Sequence, residues 1–182
     1  MRVSSVFIQG ISVLEPRVFV DERGFFFESY NEKTLAALGI ETVFVQDNHS
    51  LSRRGTLRGI HYQLRHSQAK LIRVVSGEIF DVAVDLRKSS PTFGRCFGLN
   101  LSASNKLQMY IPSGFGHGFL ALSNVAEVLY KASDFYAPEH ERCIRWDDPD
   151  LAIDWPLDGE RIISEKDAKG SFLRDAELSE GQ

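Results

Sequence analysis

The segment GTLRGIHYQLRHSQAK, residues 55–70, combines side chains that could carry out proton transfer. Arg58 has a permanent charge and can bind an oxyanion through two donors, His61 titrates near neutral pH, and Lys70 could sit beside a developing negative charge. This combination suits proton abstraction from a phosphorylated or nucleotide-linked substrate. His61 lies between apolar residues, so an ordinary core histidine is the competing interpretation, and the rest of the chain must decide between them.

A second histidine, His117, ends the sequence IPSGFGH and matches the later half of the metal-binding pattern of cupins. The earlier half of that pattern is incomplete here, because Gln63 stands where a second histidine is expected and Lys70 stands roughly where a carboxylate is expected. A divalent ion needs three or four neutral or anionic donors and tolerates no ammonium group among them. We therefore predict a pocket without a metal ion.

In a pocket without metal, His61 and Lys70 can act together. If His61 takes a proton from a carbon beside a ketone, the electrons flow to the ketone oxygen, and Lys70 would stabilise the enolate more than the ketone. An epimerase also needs a proton donor on the opposite face of the carbon. Tyr130 is the candidate, since a phenol with a pKa of about 10 stays mostly neutral at physiological pH. A tyrosine in a strand is more often a packing residue, so that alternative stays open.

Further polar residues could bind the remainder of a substrate. Three separated cations in an acidic protein could clamp a diphosphate, and amide side chains can read a base edge or sugar hydroxyls. For each residue alone, a surface ion pair or a turn is the competing explanation. The candidates are Arg23, Glu28, Gln46, Asp47, Asn48, Arg58, Glu141 and Lys166, with Asp167 beside the last of them.

Composition limits the kind of protein this can be. The chain has 182 residues, 43% of them hydrophobic and 25% charged, which fits one globular domain, and its 13 Phe and 14 Gly favour strands and turns. A net charge of −4 argues against a nucleic-acid surface. Cys96 and Cys143 have no metal-site or disulfide spacing and are expected to be buried free thiols. No stretch has the character of a signal peptide or a membrane span, which predicts a cytoplasmic protein without a membrane partner.

Short strand-like runs separated by turn signals dominate the chain and predict an all-β jelly roll. One or two strands are expected within Val6–Phe19, on a sheet edge, followed by a turn at Asp21–Gly24. Asn31 is a candidate N-cap of one short helix that has Leu35 and Leu38 on one face and ends at Gly39. The later predicted strands are Thr42–His49, Leu71–Val75, Glu78–Leu86, Cys96–Leu101, Leu107–Ile111, Gly118–Leu122 and Glu127–Ala132. After Trp146 the sequence predicts a tail wrapped over the barrel.

Motifs along nearly the whole chain, from about Val3 to Gly170, resemble one known family. The sequences GFFFESYN, FVQDNHS, GTLRGIHYQ, GEIFDVAVDLRKSSPTFG, IPSGFGHGF, EVLYK, YAPEHERCIRWDDP and DWP followed by SEKD occur here in order. Together they are similar to the dTDP-4-dehydrorhamnose 3,5-epimerases of deoxysugar biosynthesis. The resemblance implies a cupin-type double-stranded β-helix, or jelly roll, with a short N-terminal helix and a C-terminal tail packed on the barrel. It also implies a single domain over residues 1–182, with the barrel core at about 42–146, and a homodimer without cofactor.

The resemblance also implies roles for individual residues. His61 would be the base, Tyr130 the acid, Lys70 the enolate stabiliser, and Asp167 the residue that orients His61. The residues that match nucleotide-sugar contacts of the family are Arg23, Glu28, Gln46, Asp47, Asn48, Arg58, Lys70, His117, Glu141 and Lys166. In that family the amino-terminal segment crosses to the partner subunit, so Arg23 and Glu28 are expected to complete the neighbouring pocket.

The expected reaction converts dTDP-4-dehydro-6-deoxy-D-glucose into dTDP-4-dehydro-L-rhamnose by inversion at C3 and C5. The C4 ketone acidifies the hydrogens at both carbons, so one base, one oxyanion stabiliser and one acid can serve both inversions. Two alternatives stay open from the sequence. One is an epimerase of a single position or a keto-isomerase on the same class of sugar. The other is a nucleotide-sugar binding module with an inactive site.

Overall fold

The computed structural model describes residues 1–5, 8, 10–156 and 159–179. Its strands are β1 (Arg2–Ser5), β2 (Ser12–Glu15), β3 (Phe19–Asp21), β4 (Gly24–Phe26), β5 (Gln46–Arg53), β6 (Thr56–Gln63), β7 (Lys70–Ser76), β8 (Glu78–Asp85), β9 (Cys96–Ser102), β10 (Gln108–Ile111), β11 (Phe115–Ala121), β12 (Val125–Ala132), β13 (Glu141–Cys143) and β14 (Ile162–Ile163). Its helices are α1 (Glu32–Ala37) and α2 (Glu165–Ala168), with 3₁₀ turns at Pro138–His140 and Leu173–Asp175.

Two sheets face each other and form a jelly-roll sandwich, which confirms the predicted fold class. The first sheet has the order β1-β2-β10-β7-β12-β5 and the second the order β13-β6-β11-β8-β9, with β14 added beside β6. Apart from the short parallel β14–β6 pair, all the strand pairs of these two sheets are antiparallel. Strands β1, β2 and β14 lie outside the predicted core range of 42–146, and the division into domains stays a prediction.

The side chains that alternate along the strands fill three apolar layers. Ile72, Val128, Met109 and Phe119 belong to the central layer between the sheets. The outer face of the first sheet packs against α1 through a separate cluster that includes Leu35. The outer face of the second sheet packs against the tail. Each sheet therefore has one inner face, which can line a cavity, and one outer face, which is covered in part by the chain termini.

Helix α1 forms where the sequence predicts it. The Asn31 side chain accepts a hydrogen bond from the Thr34 backbone N–H at 3.1 Å, which caps the first turn. Leu35 is buried against the first sheet, and Leu38 packs at the edge of the same cluster. Gly39 follows the helix with φ at +83°, a left-handed conformation that favours glycine.

The tail after Trp146 covers the second sheet, as predicted. Leu151 and Trp155 are buried in one cluster with Leu57 and Leu120 of that sheet, and the Trp155 indole N–H donates to the Trp146 carbonyl at 2.9 Å. Helix α2, which the sequence did not predict, follows in the same region. Its N-cap is Ser164, whose hydroxyl accepts from the Asp167 backbone N–H at 3.1 Å.

Three strand predictions need correction. The strand predicted at Thr42–His49 begins and ends four residues later, as Gln46–Arg53. No strand was predicted over Thr56–Gln63, although this is a central strand of the second sheet. Of the predicted Val6–Phe19 region, residues 6, 7 and 9 lie outside the described residues. The remainder contributes β2, which is next to the edge strand β1, and Phe19, the first residue of β3 in the separate β3–β4 hairpin.

The other predicted strands and the two cysteines differ from expectation only in detail. The remaining predicted strands occur with shifted ends, the largest shift being at β11, which is Phe115–Ala121 where Gly118–Leu122 was predicted. Cys96 and Cys143 are free thiols as expected, but both are only half-buried. No helix among the described residues is long and apolar enough to cross a membrane.

Candidate active site

His61 and Asp167 form a hydrogen-bonded pair, although more than a hundred residues separate them in the sequence. His61 lies on β6 of the second sheet, and its Nε2 is 2.7 Å from Oδ1 of Asp167 on α2. The other Asp167 oxygen accepts the Gly59 backbone N–H at 3.3 Å. Burial is the largest single influence and raises the pKa of the Asp167 carboxyl, but the hydrogen bonds and charge of His61, Gly59 and Ser164 together outweigh it, and the pKa is lowered overall. Asp167 is therefore held as a carboxylate that fixes the orientation of the imidazole.

A β-bulge in β6 brings Arg58 and His61 to the same face of the sheet. Residues three apart in a regular strand point to opposite faces. Here Arg58 is paired with Phe119 and His61 with His117, so two residues of β6 lie opposite Gly118 alone. Gly59 has φ at +110°, and a Cβ there would come within 2.6 Å of the Gly118 Cα. The extra residue resets the alternation, and both side chains face the space between the sheets.

The wall opposite His61 carries Lys70 and Tyr130. The two residues lie on β7 and β12 of the first sheet, where Tyr130 pairs with Ile72, two residues along from Lys70 on the same face. The Lys70 ammonium is 5.9 Å from the centre of the Tyr130 ring. His61, Lys70 and Tyr130 all line one cavity of about 90 Å³. A ligand in this cavity would have the imidazole on one side and the phenol on the other.

The surroundings of Lys70 and Tyr130 shift the pKa of each side chain. Burial lowers the pKa of Lys70 to about 8, against the opposing influence of the Asp81 and Glu141 carboxylates. Burial raises the pKa of Tyr130, and nearby Arg58 partly offsets this. Near neutral pH, Lys70 is thus a cation able to steady a negative oxygen, and Tyr130 is a neutral phenol that still holds its proton.

His117 is paired with Asp81 rather than exposed in the cavity. Its Nε2 is 2.7 Å from Asp81 Oδ1, and both residues are buried. Burial lowers the pKa of His117, with Asp81 opposing the shift and the charges of Lys70 and His61 adding to it. The Lys70 ammonium acts on His117 and lines the same cavity as His61, so this donor set is unsuitable for a divalent cation between the two imidazoles.

A second, larger cavity of about 510 Å³ opens on the far side of His61. Arg53, Arg58, Lys166 and Asp167 are among the residues that line it, so three cationic side chains lie at its wall. Lys166 also forms an ion pair with Glu141, which lines the smaller cavity. His61 lines both cavities, so the smaller cavity and the larger cationic cavity, whose charges suit phosphate groups, border the same side chain.

The side chains of Gln46, Asp47 and Asn48 do not all face the same side of the first sheet. Asn48 lies opposite Tyr130 across the β5–β12 pair, and Gln46 shares that inner face. Gln46 accepts the Tyr136 backbone N–H at 3.0 Å and donates to Asn48 at 3.0 Å. The Asp47 side chain points to the outer face, where it pairs with Lys131 at 3.0 Å. The structure therefore does not bring the Asp47 carboxylate to the site.

Arg23 and Glu28 also lie away from the cavities within this chain. Arg23 is exposed at the turn of the β3–β4 hairpin and pairs with Asp21. Glu28 accepts hydrogen bonds from the side chains of Asn31 and Thr34 near the start of α1. The hairpin carries exposed apolar side chains, namely Phe19, Val20, Phe25 and Phe26.

Three site residues were missed from the sequence. Tyr136 lines the smaller cavity, and its hydroxyl donates to Glu141. Gln63, noticed only as a missing metal ligand, accepts the Ala137 N–H at 2.8 Å and so holds the same loop. Asp81 is the buried partner of His117. The available signal for Asp81 was an acidic residue in an otherwise apolar strand, DVAVD.

Fold and site together define a jelly-roll protein of the acid–base enzyme class, with a histidine–aspartate pair facing a lysine and a phenol. The family model described as dTDP-4-dehydrorhamnose 3,5-epimerase matches residues 5–175. The chain belongs to this family of isomerases, as the sequence motifs predict.

Individual relatives agree over almost the full length. The dTDP-4-dehydrorhamnose 3,5-epimerase of Pseudomonas aeruginosa is 58% identical over 178 residues, covering 97% of this chain and 98% of the relative. A solved structure from Legionella pneumophila, a dTDP-6-deoxy-D-glucose-3,5-epimerase in complex with dTDP-4-keto-L-rhamnose, superposes with a TM-score of 0.96 at 47% identity, covering 100% and 98% of the two chains. The 3'-monoepimerase ChmJ of Streptomyces bikiniensis, in complex with dTDP-quinovose, gives 0.87 at 37% identity, covering 96% and 88%.

Proposed function

We propose that this protein inverts C3 and C5 of dTDP-4-dehydro-6-deoxy-D-glucose to give dTDP-4-dehydro-L-rhamnose. The observation that carries the proposal is the single cavity with His61, held by Asp167, on one sheet and Lys70 and Tyr130 on the other. Membership of the epimerase family and the complex of the Legionella relative support the choice of substrate.

In the first step His61 takes the proton from the carbon next to the C4 ketone. The Asp167 carboxylate at 2.7 Å stabilises the imidazolium that forms and keeps its ring in place. The hydrogen bond from Gly59 to Asp167 fixes the carboxylate in turn. The electron pair of the broken C–H bond moves to the ketone oxygen and forms an enolate.

Lys70 stabilises the enolate oxygen. Because the negative charge develops only as the proton leaves, the ammonium binds the transition state more strongly than the ketone, and this difference lowers the barrier. Burial in the cavity strengthens the interaction, since little water screens it. The same burial makes Lys70 easier to deprotonate, which limits the pH range of the reaction.

Tyr130 completes each inversion by giving its proton to the opposite face of the carbon. Its raised pKa keeps the phenol protonated until the carbanion forms. Since one ketone activates both neighbouring carbons, the same groups can serve C3 and then C5. The phenolate and the imidazolium return to their starting states by exchange with solvent.

The nucleotide diphosphate is proposed to lie in the larger cavity beside Arg58 and Lys166. Glu141, His117, Gln46 and Asn48 would then contact the sugar or support the groups that do. Asp47 is left out as a side-chain ligand, because it faces the other side of the sheet.

We also propose that the protein is a homodimer in which Arg23 and Glu28 of one protomer complete the pocket of the other. The exposed Phe19, Phe25 and Phe26 support this, since such side chains on a hairpin are typical of a surface that a partner covers. A cytoplasmic location, a single domain and independence from any cofactor stay predictions.

Incubation of the protein with the keto sugar in deuterated water tests the proposed reaction. Deuterium at both C3 and C5 of the product is expected for the double epimerase. Label at one carbon would replace the proposal with a single-position epimerase, an alternative favoured by the similarity to a 3'-monoepimerase. No label at either carbon would leave a nucleotide-sugar binding module.

A further inference from the structure

Cys143 lies beside the proposed base but has no part in the proposed reaction. It is directly opposite His61 in the antiparallel β13–β6 pair, so the two side chains share the inner face of the second sheet. The Cys143 Sγ, a His61 ring nitrogen and an Asp167 carboxylate oxygen all lie within 4.8 Å of one another. Three elements, β13, β6 and α2, therefore bring three different donor atoms to one place.

This set of donors matches the preferences of zinc. Imidazole nitrogen, thiolate sulfur and carboxylate oxygen are its usual protein ligands, at about 2.0–2.3 Å from the ion. Ligand atoms around a tetrahedral ion at those distances are roughly 3.5 Å apart. Small side-chain rotations would reach this geometry: the Cys143 sulfur moves inward, and the His61 nitrogen and Asp167 oxygen, now 2.7 Å apart, separate to admit the ion.

Cys143 makes this position different from the space between His61 and His117. The Lys70 ammonium acts on His117 and lines the same cavity as His61, which disfavours a cation between the two histidines. On the Cys143 side of His61, the Lys166 ammonium also acts on the thiol, but it is ion-paired with Glu141, and the buried Asp167 carboxylate lies within reach of the sulfur. The loss of the thiol proton on binding would add a second negative ligand.

We propose that His61, Cys143 and Asp167 form a binding site for zinc or a similar thiophilic divalent ion, with water as the fourth ligand, and that occupation of this site inhibits the enzyme. The ion would take the place of the hydrogen bond between His61 and Asp167. The imidazole would then have no base function. Metal binding does not depend on the proposed reaction, whereas inhibition rests on it, so the two are measured separately.

Cobalt binding tests the site without any substrate. Co²⁺ added to the wild-type protein is expected to give the visible bands of a tetrahedral ion and a sulfur-to-cobalt charge-transfer band. Cys143→Ser and Cys143→Ala should lose the charge-transfer band and bind at least tenfold more weakly, with thermal melting used to select folded protein. An unchanged band in both variants would overturn the proposal.

Two matched controls separate this site from others. Cys96→Ser removes the second free thiol, which lies near the Leu151 carbonyl and not near His61. His140→Asn removes a surface alternative, in which the His66 and His140 rings are 6.0 Å apart and His66 pairs with Asp134. Both variants should keep the wild-type cobalt spectrum, and loss of the band in either would contradict the assignment.

Inhibition is then measured with Zn²⁺ and the deuterium-exchange assay. Wild type, Cys96→Ser and His140→Asn should be inhibited at the same zinc concentration, and a chelator should restore activity. Cys143→Ser should keep its activity without zinc and need at least tenfold more zinc for half inhibition. Equal sensitivity of Cys143→Ser would refute the inhibitory site. If cobalt binds as expected but the protein without metal exchanges no deuterium, the proposed reaction fails and the metal site stands.

Discussion

The second sheet carries two histidine–aspartate pairs with the same hydrogen-bond length and different surroundings. His61–Asp167 and His117–Asp81 are each 2.7 Å from Nε2 to Oδ1. The His61 side chain is 29% exposed and reaches both cavities, whereas the His117 side chain is 8% exposed. An imidazole that a ligand can touch can exchange protons with it. A buried imidazole of lowered pKa serves better as a fixed neutral neighbour.

The aspartates differ as well. Both Asp167 oxygens accept hydrogen bonds, one from His61 and one from Gly59. Asp81 Oδ2 has no hydrogen-bond partner among the described residues, yet the Asp81 charge acts on Lys70. The comparison teaches that hydrogen-bond geometry alone does not identify a catalytic pair. The exposure of the imidazole and the contacts of the carboxylate are what favour His61–Asp167 as the proposed proton-transfer pair and Asp81 as the proposed support of Lys70.

The largest expected effect separates the two histidines. His61→Asn should lower the rate of exchange at both carbons by about a thousandfold, a magnitude typical of a lost general base, while binding of dTDP stays near the wild-type value. The loss of exchange rate in His117→Asn should be at least tenfold smaller than the loss in His61→Asn. Retained exchange at either carbon in His61→Asn, measured by NMR in deuterated water, would remove His61 as the sole base.

Tyr130→Phe tests whether Tyr130, and not the buried His117–Asp81 pair, donates the proton to the opposite face of the carbon. Net inversion should fall by roughly a hundredfold, and exchange should fall less, because His61 can return a proton to its original face. The measurement compares product formation with deuterium incorporation in one sample. Equal loss of both would count against Tyr130 as the donor, and unimpaired inversion would point to His117 instead.

A smaller effect concerns the charge of Lys70. Activity of the wild type should decline as the pH rises through about 8, because the lowered pKa of Lys70 makes it lose its proton there. In Asp81→Asn the decline in activity should begin at lower pH, since the carboxylate that raises the pKa of Lys70 is gone. We expect the activity of Asp81→Asn to be about tenfold below wild type at pH 8 and closer to wild type at pH 6.5. An unshifted profile of kcat would show that Asp81 does not support Lys70.

The smallest effect concerns the loop that borders the accessible histidine. Gln63→Met removes the bonds to His66, Phe135 and Ala137 and should raise KM by about fivefold or slightly more with little change in kcat, because each neutral hydrogen bond is worth only about 1 kcal/mol. Asn100→Leu is the control, since Asn100 also donates a side-chain hydrogen bond, to Glu78 at 2.9 Å, and lines neither cavity. A change confined to kcat would place Gln63 in the chemistry rather than in positioning.

Much of this arrangement could be read from the sequence. Asn31 and Gly39 gave the limits of α1, and turn signals gave most strands of the sandwich. His61, Lys70 and Tyr130 were candidates from side-chain chemistry, and they line one cavity. These predictions succeeded because they depend on short-range patterns or on residue type.

The remainder depends on long-range contacts or on local irregularity. The central strand β6 was missed because the bulge at Gly59 breaks the alternation that marks a strand. Asp47 could have been excluded, since its neighbours Gln46 and Asn48 must face the other side of a strand. The partners of Asp81 and Cys143 come from other strands, and without pairing register no local pattern identifies them.

The bulge at Gly59 also limits how this enzyme can change during evolution. A chain with residue 59 deleted would retain every side chain named in the reaction. Its strand would return to simple alternation, and either Arg58 or His61 would turn into the apolar layer beneath Trp155. Loss of residue 59, which has no side chain to offer a substrate, would thus separate the proposed phosphate anchor Arg58 from the proposed base His61, so the presence of the active-site residues is an incomplete criterion for function among related sequences.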